Sequence, residues 1–239
     1  VRHVRADVTA PATIEDALRG SSAVFLLVPT EVHDDVDPDA VVRAVERAGA
    51  ARIVVLSSMG TVSRPHAPGY EGLRHLEDAA RRSSRAVTIL RPTGFATNTL
   101  AWAHGVRASQ RIEAPFGDVA IPVVDPADVA AVAARALRDE GHEGAAYDLT
   151  GPEPITPRGQ ARALADALGV PIDFVELSRE DAARLMRAHI PPSIVEATLD
   201  ISGTPNALER RVSPDVERVL GRPATPYAEW ARRNVAAFR

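Results

Sequence analysis

Short apolar runs alternate with amphipathic stretches along the first 150 residues. Ser22–Val28 (SAVFLLV), Ile53–Leu56 (IVVL) and Val87–Leu90 (VTIL) are apolar almost throughout. Such runs predict strands buried on both faces, as in a parallel sheet covered by helices on each side. A half-exposed antiparallel strand would alternate apolar with polar instead. Val119–Val124 and Ala145–Leu149 read as later strands, and Val1–Val4 as a short one at the chain start.

Helix starts of one kind lie between the runs. Thr9-Ala10-Pro11, Asp37-Pro38, Asp125-Pro126, Thr156-Pro157, Ser213-Pro214 and Thr225-Pro226 each set a side-chain oxygen at or near a cap position, with Pro close to the first turn. The oxygen can accept from a free N–H of that turn, and Pro has no N–H to leave unpaired. The pattern predicts helices over 12–18, 38–48, 70–83, 126–138, 157–168, 214–220 and 226–237, with Gly169 a suitable C-cap. Strand and helix in strict alternation imply right-handed βαβ crossovers and an α/β, doubly wound parallel sheet of Rossmann-like type. Beyond residue 150 helices dominate. One strand is expected at Ile172–Leu177, and Ser178–Asn206, broken by Pro191-Pro192, reads as two helices. The expected division is a sheet domain over 1–150 and a smaller, mainly helical cap over 151–239.

Composition narrows the partners. The formal net charge is -4 over 239 residues, and the arginines sit beside Asp and Glu on the expected helices. That describes a mixed-sign solvated surface, with no basic stripe for nucleic acid. Cysteine is absent, so disulfides and thiolate metal sites are excluded, and a reducing cytoplasm is compatible. No apolar run approaches the ~18 residues of a membrane helix, and Val1-Arg2-His3 does not open a signal peptide. His33 with Asp34, Asp35 and Asp37 forms an acidic loop before a helix, where acidic residues are ordinary, so no metal is expected.

Several local patterns then converge: Arg5-Ala6-Asp7-Val8-Thr9, Phe25-Leu26-Leu27-Val28-Pro29, the stretch Arg52–Leu56 running into Ser57-Ser58-Met59-Gly60, Thr88-Ile89-Leu90-Arg91-Pro92-Thr93-Gly94-Phe95, Val124-Asp125-Pro126-Ala127-Asp128-Val129, and Tyr147-Asp148-Leu149-Thr150-Gly151-Pro152. In this order and spacing the chain resembles the NmrA-like branch of the atypical short-chain dehydrogenases, which are NAD(P)-binding Rossmann proteins. Members of that branch begin with a strand and a Gly-x-x-Gly-x-x-Gly turn. The first residues here resemble the family's third strand, so the expectation is that about one βαβ unit plus a helix, on the order of 50 residues, is lacking. Without that unit the sheet should have an unpaired edge, and dinucleotide binding by the chain as it stands should be weak.

The resemblance implies NADP or NAD as cofactor, seated outside the carboxyl ends of the strands. The residues it implicates are Asp7 and Val8 on the adenine side, and Val28, Pro29, Ser57, Ser58, Met59, Pro92, Thr93, Gly94 and Phe95 on the nicotinamide side. The Tyr and Lys that active relatives use, four residues apart, are not reproduced. Aligned on Glu77, which resembles a recurrent family glutamate, the Tyr position falls on Gly69 and the Lys position on Leu73. Tyr70 and Arg74 restore the spacing only after a one-residue shift, which turns a helical side chain by ~100°. No catalytic side chain is therefore assigned, and His75 reads as a surface residue. Phe95, Trp102 and Met186 could line a substrate pocket or pack a core. The implied activity is NAD(P)H-dependent hydride transfer to a small quinone- or enone-like acceptor, in the cytoplasm. The alternative is a non-catalytic, NAD(P)-binding redox sensor. Oligomeric state stays open.

Overall fold

The computed structural model describes residues 3–29, 32, 35–188 and 190–239. The elements run α1 (Pro11–Leu18), β1 (Ala23–Leu26), α2 (Pro38–Arg47), β2 (Arg52–Leu56), the single turn α3 (Gly60–Ser63), α4 (Glu71–Arg81) and β3 (Ala86–Pro92). They continue with α5 (Ala103–Ser109), β4 (Arg111–Pro115), α6 (Pro126–Arg138), β5 (Ala146–Leu149), α7 (Pro157–Leu168) and β6 (Asp173–Leu177). Last come α8 (Arg179–Met186), α9 (Pro192–Gly203), α10 (Ala207–Arg210), α11 (Asp215–Leu220) and α12 (Tyr227–Asn234). The chain forms two compact units, one of residues 1–91 and 130–148, the other of residues 92–129 and 149–239.

The first unit carries the sheet, in the order β1-β2-β3-β5. β1 and β2 are parallel from Ala23↔Arg52 to Leu26↔Val55, and β2 and β3 from Arg52↔Ala86 to Leu56↔Leu90. Ile89 N–H donates to the Ala145 carbonyl and Thr93 N–H to that of Leu149. The bonds advance together along both strands, which marks β3 and β5 as parallel too. Ile53, Val54 and Val55 of β2 and Val87 to Leu90 of β3 are buried, so these two strands are covered on both faces as their composition demands. The fold class is the expected α/β one.

Two expectations need correction here. β1 is buried on one face only: Val24, Leu26 and Val28 join the core while Phe25 and Leu27 are 39% and 49% exposed. It lies at the sheet edge, so its apolar run satisfies one covered face and leaves the other open. His3 and Val4 form no strand, and Val1 and Arg2 lie outside the described residues.

Side-chain caps mark three of the expected helix starts. Asp37 accepts from Ala40 N–H (3.1 Å), Asp125 from Ala127 N–H (2.9 Å) and Thr156 from Gly159 N–H (3.0 Å). Gly169 closes α7 at φ 73, where a side chain would be strained. Ser213 Oγ accepts from Asp215 N–H (3.2 Å) at the start of α11, although Pro214 holds the N-cap there; Thr225 precedes α12 without capping it, and Pro226 takes that place.

The second unit is built around α7, α12 and the parallel pair β4–β6, in register from Arg111↔Asp173 to Pro115↔Leu177. Ile112, Leu164, Tyr227, Trp230 and Phe238 form its core. The strand expected at Val119–Val124 is not one. Pro122 cannot donate to a ladder, and the segment makes only single bridges, Ile121 with Ile155 and Val124 with Phe95. β4 is the strand the hydrophobic pattern missed, because Arg111-Ile112-Glu113-Ala114 alternates and reads as surface chain. The break at Pro191-Pro192 separates α8 from α9 as expected.

Two aspartates fasten the end of the chain within this unit. Asp128, fully buried, accepts from Arg222 Nη2 (2.7 Å), Thr225 N–H (2.6 Å) and Thr225 Oγ1 (3.1 Å). Asp125 pairs with Arg233. Nearby, the buried Tyr227 hydroxyl donates to Thr99 Oγ1 at 2.9 Å. Burial pushes the Tyr227 phenol far up, and the Thr99 bond offsets this only in part. A group that holds its proton more tightly when folded stabilises below its unfolded value and loses that contribution as pH rises. The melting temperature should therefore fall above about pH 10, and Tyr227→Phe should flatten the fall. Melts from neutral to alkaline pH check this.

Candidate functional site

Because β1 and β2 are parallel, residues 28 and 57 both follow strand ends that point the same way. Open α/β sheets bind ligands outside this carboxyl edge. A cavity of about 200 Å³ in the first unit lies instead where β3 and β5 begin, among Arg85, Ala86, Gly144 and Ala145. It is at the wrong end of the strands for a dinucleotide.

Asp7 and Val8 form the turn into α1. Asp7 Oδ1 accepts from Thr9 N–H (2.9 Å) and Thr9 Oγ1 (2.8 Å), which together hold its carboxyl below the usual range. Asp7 is exposed, and Val8 packs against the core. Val28 is buried, Pro29 is exposed, and the Pro29 carbonyl accepts from Val32 N–H. Val28 shares a cleft of about 10 Å³ with Val36, Pro38, Gly72, Leu73 and Leu76, room for little more than one water.

The turn after β2 is built around Glu77, whose side chain is 3% exposed. Its Oε1 accepts from Ser57 Oγ (2.5 Å), Thr61 Oγ1 (2.9 Å) and Arg91 Nε (3.0 Å). Its Oε2 accepts from Arg91 Nη2 (2.6 Å) and Arg81 Nη2 (2.8 Å). Such a set of donors requires an ionised carboxylate. Burial pushes the Glu77 carboxyl up, but Arg91, Ser57 and Thr61 more than offset it and hold it below the ordinary range. The Ser57 hydroxyl is thus engaged by Glu77. Met59 is buried as well, and Ser58 is half-buried, its Oγ accepting from Gly60 N–H at 3.1 Å.

Tyr70 is packed against this turn. A Cβ on Gly60 would run into the hydroxyl-bearing end of the Tyr70 ring. Arg74 donates to the carbonyls of Arg64 (3.4 Å) and Ala67 (3.1 Å), so its guanidinium staples the loop before α4. Leu73, where the family resemblance expects a Lys, lines the small cleft beside Val28. His75 is on the surface, 4.0 Å from Glu71.

Pro92–Phe95 belong to the second unit, and their polar groups are engaged within it. Thr93 N–H donates to the Leu149 carbonyl (2.9 Å) and Thr93 Oγ1 to that of Pro122 (2.5 Å). The Gly94 carbonyl accepts from Val124 N–H at 2.9 Å. Pro92 is buried; Thr93, Gly94 and Phe95 are half-buried. Trp102 and Met186 are partly buried against core clusters of that unit. His33 and Asp34 lie outside the described residues. Among the described residues no three His, Asp or Glu gather as metal ligands, and no helix is long and apolar enough to cross a membrane.

Sequence reasoning missed the Ser57–Thr61–Glu77–Arg91 cluster. Two signals could have found it. Glu77 stands among Leu76, Ala79 and Ala80 on the buried stripe of α4, and Arg91 continues an apolar strand. A charge in either place needs a partner.

Residues 1–140 match the model of a family described as NAD(P)H-binding. The chain is 40% identical over 232 residues to a (4-alkanoyl-5-oxo-2,5-dihydrofuran-3-yl)methyl phosphate reductase from Streptomyces griseus, covering 95% of this chain and 80% of that one. It is 32% identical to an NAD(P)H azoreductase from Xenophilus azovorans, covering 100% and 84% of the two chains. Among solved structures it resembles an NADPH-dependent quinone oxidoreductase from Escherichia coli in complex with NADPH, with a TM-score of 0.78, 26% identity and coverage of 96% and 82%.

Proposed function

Since the chain belongs to the NAD(P)H-binding family, in its NmrA-like, atypical short-chain dehydrogenase class, we propose that it is a reductase that uses NAD(P)H to reduce a small quinone- or enone-like acceptor. The observation that carries this reading is the shared direction of β1, β2 and β3, which end at one carboxyl edge. Likeness to reductases over nearly the whole chain supports it. Asp7 and Val8 are assigned to the adenine side of the cofactor. Val28, Pro29, Ser57, Ser58 and Met59 are assigned to the nicotinamide side, as is Pro92–Phe95. Within the turn after β2, Ser58 is the best placed for direct contact, because Ser57 and Met59 point inward. Residues 1–150 are taken as the cofactor domain, and 151–239 as the region that selects a small-molecule substrate, in the cytoplasm.

The cofactor supplies the hydride, and the protein binds and orients. An acceptor that gains its proton from water suits a chain in which Arg74 is tied to backbone carbonyls and Leu73 is apolar. The expected result is NADPH consumption by the full-length protein, in the presence of a panel of quinones and an azo dye, above the enzyme-free rate. No excess with any acceptor overturns the reductase reading. NADPH and NADP binding with different affinities, but without turnover, would mark a redox sensor instead; the apolar Leu73, where the family resemblance expects a Lys, favours that second reading.

A further inference from the structure

To neutralise a buried carboxylate, Arg91 alone would serve. Glu77 also takes the hydroxyls of Ser57 and Thr61, at the two ends of the turn that follows β2. Thr61 Oγ1 lies 2.8 Å from the Ser58 carbonyl oxygen as well, so the turn is closed on itself and on Glu77. Arg91, on β3, grips Glu77 through two nitrogens and ties the turn to the neighbouring strand. Between Ser57 and Thr61 every residue is buried except Ser58, which is half-buried. Its Oγ already accepts from Gly60 N–H, which leaves the Ser58 O–H to donate outward.

We propose that Glu77 is a positioning residue for the cofactor: by holding Ser57 and Thr61 it presents Ser58 at the carboxyl edge of the sheet, where the nicotinamide half of NAD(P)H is bound. This rests on the reductase reading and adds a mechanism for its affinity. Arg81 also reaches Glu77, but from the solvent side with 46% exposure, and neither Ser57 nor Thr61 depends on it.

The test compares the full-length parent protein with Thr61→Val, Glu77→Gln and Arg81→Ala variants of the same length. NADPH affinity is read by fluorescence titration, folding by thermal melts, and KM and kcat by quinone reduction. Thr61→Val and Glu77→Gln should weaken NADPH binding about tenfold, the scale of one lost hydrogen bond. The KM for NADPH should rise with it, while kcat at saturating NADPH and the KM for quinone stay within about twofold. Arg81→Ala should bind as the parent does. If Glu77→Gln does not fold, Thr61→Val keeps the ion pair and carries the same expectation. Parent-like NADPH affinity in a folded Thr61→Val or Glu77→Gln variant overturns the inference, whatever happens to the melting temperature. A parent protein that binds no NADPH overturns the reductase reading, and the inference with it.

Discussion

Replacing Arg91 by methionine is expected to lower the unfolding free energy by about 3–5 kcal/mol, the range found when one partner is stripped from a buried ion pair. The Arg91 side chain is 14% exposed and that of Glu77 3%. Without Arg91 the carboxylate keeps Ser57, Thr61 and the half-exposed Arg81 but loses its bidentate partner. It must then remain charged in a poor environment or take up a proton. The double variant Glu77→Leu with Arg91→Met removes both charges and should recover much of the loss, because paired burial of opposite charges is close to neutral against apolar packing. Recovery should be incomplete, since Ser57 and Thr61 lose their acceptor. Denaturant melts of the parent, both single variants and the double variant give the coupling. A coupling below about 1 kcal/mol would mean that the two residues act independently.

The second large effect is expected at Asp128, in the other unit. Asp128→Ala should cost about 2–3 kcal/mol, because it leaves the Thr225 amide and hydroxyl without their acceptor in a buried place. Arg222 contributes less to the loss, being 48% exposed and able to turn to water. The damage should be local. Hydrogen exchange should quicken over residues 222–239, where Arg222 and Thr225 anchor the approach to α12 and Arg233 anchors its end on Asp125. Asp128→Asn should recover part of the stability, since the amide oxygen can still accept from Thr225. Uniform protection across residues 222–239 in the alanine variant would refute the latch.

The parts of this molecule that were legible in its sequence are those where one local rule decides. β2 and β3 carry unbroken aliphatic runs because helices cover both of their faces, and α2 and α7 begin where Asp37 and Thr156 can cap and Pro can follow. The failures come where tertiary context overrides pattern. Ser22–Val28 looks like a doubly covered strand, yet composition does not say that one face stays open at a sheet edge. Val119–Val124 has the apolar content of a strand, but Pro122 prevents a ladder. At the candidate site the chain positions after each strand could be read, since ligand shelves follow strand ends. The direction of the Ser57 hydroxyl could not, because it is set by Glu77, 20 residues further along the chain.

The glycine beneath the Tyr70 ring bears on how this protein can be varied. Position 60 has no freedom of its own: any side chain there must displace an aromatic ring at the entrance to α4. Codons 60 and 70 therefore form a single unit of choice. A mutagenesis library that randomises position 60 alone will return mostly damaged proteins, whereas one that shortens residue 70 in the same clones opens room for new shapes beside the strand ends.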